Sequence, residues 1–102
     1  MLFRSPTGYR GAWCKSFTNM ILRMAGYHSG PSLMAIDALK DGVRVRSPQP
    51  GDLAVMRSHV TFFVAYAGNG MFIGIGGNQG RMVRKSRFAL REIVGFVRPE
   101  KS

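Results

Sequence analysis

The chain has 102 residues, 45% of them hydrophobic, and its mean hydropathy is close to zero. This composition excludes a disordered chain, and the length predicts one domain, residues 1–102, with a modest core. Because Cys14 is the single cysteine, the chain has no intrachain disulfide, and the thiol is left either to pack in the core or to react.

The charge is strongly basic, with 15 Lys and Arg against 5 Asp and Glu, a net charge of +10. Such a surplus predicts attraction to a polyanion. Nucleic acid is the first candidate by frequency, and anionic cell-envelope polymers or lipid headgroups are the second. Arg outnumbers Lys, which favours bidentate contacts with carboxylate or phosphate. The alternative is a general positive field that keeps the protein soluble and has no specific ligand.

No secretory signal is visible in the sequence. Residues 12–25 are partly apolar, but Lys15, Asn19 and Arg23 interrupt them, and a small-residue cleavage pattern is absent. No run approaches the length of a membrane span. We therefore expect synthesis in the cytoplasm without a signal peptide, so that action outside the cell would need another route of release.

The first half of the chain predicts helices. Apolar positions spaced three and four residues apart run from Trp13 to Met24 and predict a helix that ends at Gly26. Cys14 falls in its first turn. Ser29-Gly30-Pro31 offers the start of a second, shorter helix that continues to about Leu39.

The second half predicts strands, after a turn at residues 48–52. Helices followed by a meandering sheet indicate an α+β fold, with N-terminal helices packed on an antiparallel sheet of about five strands. The hairpin turn is expected at Gly68-Asn69-Gly70, and a brief helical turn at Arg87–Arg91. The predicted strands are Leu53–Met56, Val60–Ala67, Met71–Ile75, Met82–Ser86 and Ile93–Arg98.

Three residues have the side chains of a papain-like nucleophilic site, in chain order: Cys14, His59 and Asn78. A helix N-terminus and a nearby imidazole would lower the pKa of the Cys14 thiol. The carboxamide of Asn78, in the glycine-rich turn, would orient the imidazole. Gln79 is the competing candidate for that role, and Asp52 is interpreted as a turn residue.

The oxyanion of such a reaction would be met by the backbone N–H of Cys14 and a second donor, for which Tyr9 and Trp13 are candidates. Each residue also has a structural interpretation. A lone Cys is often a small buried hydrophobe, a His before a strand often packs, and Gly-Gly-Asn-Gln-Gly is often only a turn. One Cys, two His and scattered acids have no metal-ligand spacing, so no metal is expected.

Five segments from about residue 12 to 99 resemble, in the same order, motifs of bacterial and phage cysteine peptidases of the CHAP and NlpC type. The opening Ala12-Trp13-Cys14 with Phe17 and Ala25-Gly26 is similar to "PWCAAFVNWCLRQAG". The others are Pro50–Met56, similar to "PGDIVVF", Ser58–Val64, similar to "GHVGFYV", Ile75–Gly80, similar to "LGGNQ", and Val94–Pro99, similar to "LGYRRP".

The resemblance implies a papain-like α+β fold and hydrolysis of an amide bond in the peptide part of peptidoglycan. It implies Cys14 as nucleophile, His59 as general base and acid, and Asn78 as orienting residue. The chain departs from the family pattern in having Lys15 and Thr18 beside the nucleophile and Thr61 where glycine is usual. These departures affect the expected shape of the cleft.

We therefore expect a monomeric phage or prophage endolysin without a cofactor, either an endopeptidase or an N-acetylmuramoyl-L-alanine amidase. It would reach the cell wall through a holin, host lysis or injection. A set of cations would hold it on anionic envelope polymers: Arg81, Arg84, Lys85, Arg87 and Arg91. The alternatives are a basic nucleic-acid-binding module and a non-catalytic wall-binding or virion structural relative. As a partner of this chain, nucleic acid is less favoured than peptidoglycan.

Overall fold

The computed structural model describes residues 11–77 and 82–102. One α-helix, α1 (Gly11–Met24), is followed by a 3-10 helix (Ala35–Lys40), and a second 3-10 helix (Leu90–Glu92) precedes the last strand. The strands are β1 (Gly42–Val45), β2 (Leu53–Met56), β3 (Val60–Gly68), β4 (Met71–Gly77), β5 (Val83–Ala89) and β6 (Ile93–Pro99).

Helix α1 ends at Met24 and is capped by Gly26, the glycine that the sequence predicts as its C-terminal cap. The N–H of Gly26 donates to the carbonyl of Arg23, and the N–H of Tyr27 donates to the carbonyl of Leu22. This pair of bonds is a Schellman motif, and it needs a left-handed residue, which Gly26 supplies with φ +85°.

The six strands form one antiparallel sheet in the order β1-β6-β2-β3-β4-β5, and α1 packs on β3 and β4. The β3–β4 hairpin turns at Asn69 and Gly70, where both φ angles are positive, as in a tight hairpin turn. β5 and β1 lie at the two edges of the sheet. All five predicted strands are therefore present, with boundaries shifted by up to three residues.

Side chains that alternate along the strands build two apolar clusters, one on each face of the sheet. The first lies on the face that carries α1 and includes Cys14, Leu22, Leu53, Val55, Val60 and Val97. The second is aromatic, with Phe63 and Phe72 buried at its centre and Phe88 and Phe96 packed against them. The first half of β3, residues 60–63, is thus covered on both faces, as its apolar run predicts, whereas Ala65 and Tyr66 in the second half are exposed.

The predicted fold class, a papain-like α+β fold with N-terminal helices and about five strands, is wrong. Within residues 11–77 and 82–102 there is one α-helix, and the architecture is predominantly β, with six antiparallel strands. The second predicted helix is only the short 3-10 turn Ala35–Lys40. Ser32 explains part of this, because its hydroxyl donates to Asp37 and accepts the N–H of Met34, bonds that compete with a helical turn.

Strand β1 is the element that the sequence analysis missed. It has four residues and, among the described strands, pairs with β6 alone, with Gly42 opposite Pro99 and Val45 opposite Phe96. A Cβ at Gly42 would collide with the carbonyl of Arg98, so a glycine permits this close approach of the two strands.

Candidate active site

The thiol of Cys14 lies in the first turn of α1, where the sequence predicts it, but it is buried, with 2% of the residue exposed. Burial raises the pKa of this thiol above its usual 9.0, and it outweighs the backbone N–H groups of Val60, Lys15 and Cys14 and the charge of Lys15, which lower it. The expectation of a lowered thiol pKa is therefore wrong. At neutral pH the resting thiol is protonated.

Lys15 directly follows the thiol, and its side chain is fully buried, which the sequence analysis did not predict. Its ammonium lies 2.8 Å from a carboxylate oxygen of Asp41 and donates to the side-chain oxygen of Asn19 at 2.6 Å. The contact with Asp41 Oδ2 is an ion pair without good hydrogen-bond geometry. A buried cation thus adjoins the nucleophile position, and a buried anion compensates it.

His59 lies at the tight turn between β2 and β3, and its carbonyl accepts the N–H of Met56 at 2.8 Å. The imidazole is half-buried, with its ring centroid 5.2 Å from that of Phe88. Burial lowers the pKa of His59 below its usual 6.5. The imidazole is therefore neutral at pH 7 and is able to accept a proton.

The backbone brings the thiol next to position 59, because the Val60 N–H, which bonds the thiol, belongs to the residue directly after His59. The two side chains pack differently. Cys14 and Val60 belong to the cluster beneath α1, whereas the imidazole lies on Phe88, which packs with the aromatic cluster. The structure thus places the Cys14 thiol near the backbone of His59. The His59 imidazole, however, contacts Phe88 and so lies with the aromatic cluster.

Four of the predicted site residues, Tyr9, Asn78, Gln79 and Arg81, lie outside the described residues. Trp13, the remaining cleft candidate, is half-buried, and its indole nitrogen lies where a side chain at Gly77 would stand. Trp13 therefore packs the N-terminal turn of α1 against Gly77, which ends β4 and directly precedes Asn78. The roles predicted for Cys14, His59 and Asn78 stay predictions.

The predicted cations on β5 are exposed at an edge of the sheet. Arg84, Lys85 and Arg87 alternate between its two faces, and none lies within ion-pair distance of an acidic side chain in the described part of the chain. Arg91, in the second 3-10 helix, is 85% exposed and lies 3.9 Å from Glu92. The β5 cations are therefore available to an anionic partner.

Asp52 is a turn residue, as the sequence analysis interprets it, and it is also buried. One carboxylate oxygen accepts the N–H of Gln49 at 2.7 Å, and Arg98 contacts both oxygens, at 2.9 and 3.2 Å. The hydrogen bond to Asp52 raises the pKa of Arg98. This pair joins the turn before β2 to β6 and leaves Asp52 no free oxygen for catalysis.

No family model, curated protein or solved structure matches this chain. Within residues 11–77 and 82–102, no helix combines the length and apolar character that crossing a membrane would need. Function must therefore be inferred from the chemistry of the described residues and from the sequence motifs.

Proposed function

We propose that the chain is a peptidoglycan hydrolase that cuts an amide bond in the peptide part of the cell wall with Cys14 as nucleophile. The observation that supports this best is the position of the sulfur. It lies in the first turn of α1 and packs in the same cluster as Val60, the residue after His59, and the backbone N–H groups of Val60, Lys15 and Cys14 act to lower the pKa of the thiol. Donors converging on a sulfur stabilise the negative charge that forms when the thiol reacts.

In the proposed reaction the resting pair is a neutral thiol and a neutral imidazole, because burial acts on both. For this reaction the imidazole must turn from Phe88 towards Cys14, and the substrate must displace the side chains packed over the thiol. His59 then takes the proton of Cys14 as the sulfur attacks the amide carbonyl. His59 then gives this proton to the leaving amine, and a thioester forms. Water, deprotonated by the same imidazole, hydrolyses the thioester and frees the enzyme.

The unpaired cations of β5 fit the same function. Peptidoglycan and its attached polymers are anionic, and exposed arginines and lysine at a sheet edge would hold the protein on them through contacts that weaken with salt. A phage or prophage endolysin, which acts at the wall after release from the cytoplasm, would use such binding to stay on its substrate.

The test is the release of soluble fragments from purified peptidoglycan by the wild-type chain, Cys14→Ala and His59→Gln. We expect release by the wild type and loss of at least about a hundredfold in both variants, since a general base alone contributes about that much. Arg23→Gln, an exposed change on α1, is the matched control. Equal release by the wild type and Cys14→Ala would refute the proposal.

A second candidate, a binding module without catalysis, is favoured by one observation: the exposed β5 cations need no reactive thiol. Replacing Arg84, Lys85 and Arg87 together by Gln should weaken binding to anionic polymers and flatten its salt dependence in either case. The candidates differ at Cys14. If duplex DNA or RNA is retained tightly by Cys14→Ala and no peptidoglycan is cut by the wild type, the binding module is the correct function.

A further inference from the structure

A groove of about 420 Å³ lies beside His59, at the end of the sheet where the β2–β3 turn meets the start of β6. The pairing of Met56 with Ile93 creates this groove. The residues after Met56 line one side of the groove, and the residues before Ile93 line the other. Met56 is buried and Ile93 is half-buried, so they form an apolar floor. The volume suits one or two amino-acid residues of a ligand.

Two arginines, from different segments of the chain, line this groove. Arg57 comes from the β2–β3 turn and makes no ion pair with a described residue, and Arg91 comes from the 3-10 helix before β6. Arg91 lies 3.9 Å from Glu92, but both side chains are mostly exposed, so this pair is weak. The hydroxyl of Ser58 adds a donor. Glu92 is the one acidic residue among those lining the groove.

Two arginines facing a groove with an apolar floor have the chemistry that binds a carboxylate on a small aliphatic group, because guanidinium presents paired donors to the two oxygens. His59 lines the same groove. A ligand whose carboxylate contacts Arg57 and Arg91 would therefore have its neighbouring amide close to the residue that handles the proton.

We infer that this groove is a subsite for the free carboxylate of a peptidoglycan stem peptide, with Arg57 and Arg91 as the specificity-determining residues. The inference rests on the proposed function, since it names the part of the substrate that lies next to His59.

The test is binding of acetyl-D-alanyl-D-alanine to the full-length Cys14→Ala chain, followed by NMR or calorimetry, with the C-terminal amide of the same peptide as the matched probe. We expect the acid to bind at least about fivefold more tightly than the amide. Arg57→Gln and Arg91→Gln should each weaken binding of the acid by about two- to fivefold, as partly exposed ion pairs do. Arg23→Gln should leave it unchanged.

Equal binding of acid and amide, or equal binding by the wild type and the double Arg57→Gln/Arg91→Gln variant, would overturn the inference. Competition by inorganic phosphate at concentrations equal to the acid would also overturn it, because the groove would then be a general anion site. Hydrolysis is measured separately on the wild-type chain. If the groove binds the acid but the wild-type chain cuts no peptidoglycan, the proposed hydrolase activity is wrong and the carboxylate subsite is not.

Discussion

The ammonium of Lys15 and the carboxylate of Asp41 lie 2.8 Å apart inside the protein, with side chains 0% and 1% exposed. Asp41 also accepts the N–H of Gly30, and Asn19, bonded to Lys15, donates to the carbonyl of Ser32. This network ties the first turns of α1 to the segment that leads into β1. Since Cys14 precedes Lys15, the same network holds Cys14, the proposed nucleophile, in place.

The first prediction follows from this buried pair. Replacing Asp41 by Asn leaves the Lys15 charge without its counter-charge, and we expect the free energy of unfolding to fall by about 3–5 kcal/mol in urea denaturation. Asp37→Asn is the control, because the Asp37–Lys40 pair is 4.0 Å apart with Lys40 82% exposed, and there the loss should be below about 1 kcal/mol. Equal losses in the two variants would contradict the burial of the pair.

Thr61 provides a stability test of opposite sign. Its side chain is fully buried between β3 and β4, and its hydroxyl has no hydrogen-bond partner among the described residues. Thr61→Val removes this unsatisfied hydroxyl and keeps the shape of the side chain, so we expect the free energy of unfolding to rise by about 1 kcal/mol. In Thr18→Val a bond to the Lys15 carbonyl is lost, and stability should fall by about the same amount. A destabilised Thr61→Val would show that its hydroxyl is bonded.

The lowered pKa of His59 predicts how the free energy of unfolding depends on pH. Because burial lowers this pKa below 6.5, the unfolded chain binds more protons than the folded one between the folded value and pH 6.5. The free energy of unfolding should therefore fall as the pH decreases from 7 through this range. His59→Gln should remove this part of the slope, with His28→Gln as the control. A slope unchanged in His59→Gln would mean that the imidazole is not desolvated.

The thiol of Cys14 should react as a buried, protonated group. Since burial raises its pKa, the rate of alkylation by iodoacetamide should be low at pH 7 and still rising above pH 9. In denaturing urea the rate at pH 8 should increase strongly, because the thiol is then exposed. Rapid alkylation of the folded protein with a midpoint below pH 8 would instead indicate a resting thiolate–imidazolium pair.

Local patterns were enough to predict most of the strands. Leu53–Met56 was predicted with its observed bounds, because burial of all four residues leaves a continuous apolar signal. β3 was also predicted from its apolar run, although only its first half is buried on both faces. β1 has no such signal, since Gly42–Val45 is short and half-exposed and its pairing with β6 is decided by residues more than fifty positions away. The second helix was predicted from cap signals at Ser29-Gly30-Pro31, which the bonds of Ser32 override, and the papain-like fold was implied by the resemblance of the motifs.

The candidate site was predictable only in part. The apolar spacing that starts at Trp13 was sufficient to place Cys14 in the first turn of α1. The burial of its thiol depends on β3 packing beneath the helix, which spacing along one helix does not show. Lys15 appeared to be a surface interruption of an apolar run, because its partner Asp41 is 26 positions further along the chain. The side of the sheet that His59 faces could not be predicted, since it precedes a strand that is apolar on both faces.

Mass spectrometry of the fragments that the wild-type chain releases from purified peptidoglycan sacculi tests the central claim most directly. We expect fragments with a new free amine and a new carboxylate at one amide bond of the peptide part, and none of these fragments from Cys14→Ala. Fragments cut only at glycosidic bonds, or the same fragments from Cys14→Ala, would contradict a cysteine nucleophile at position 14.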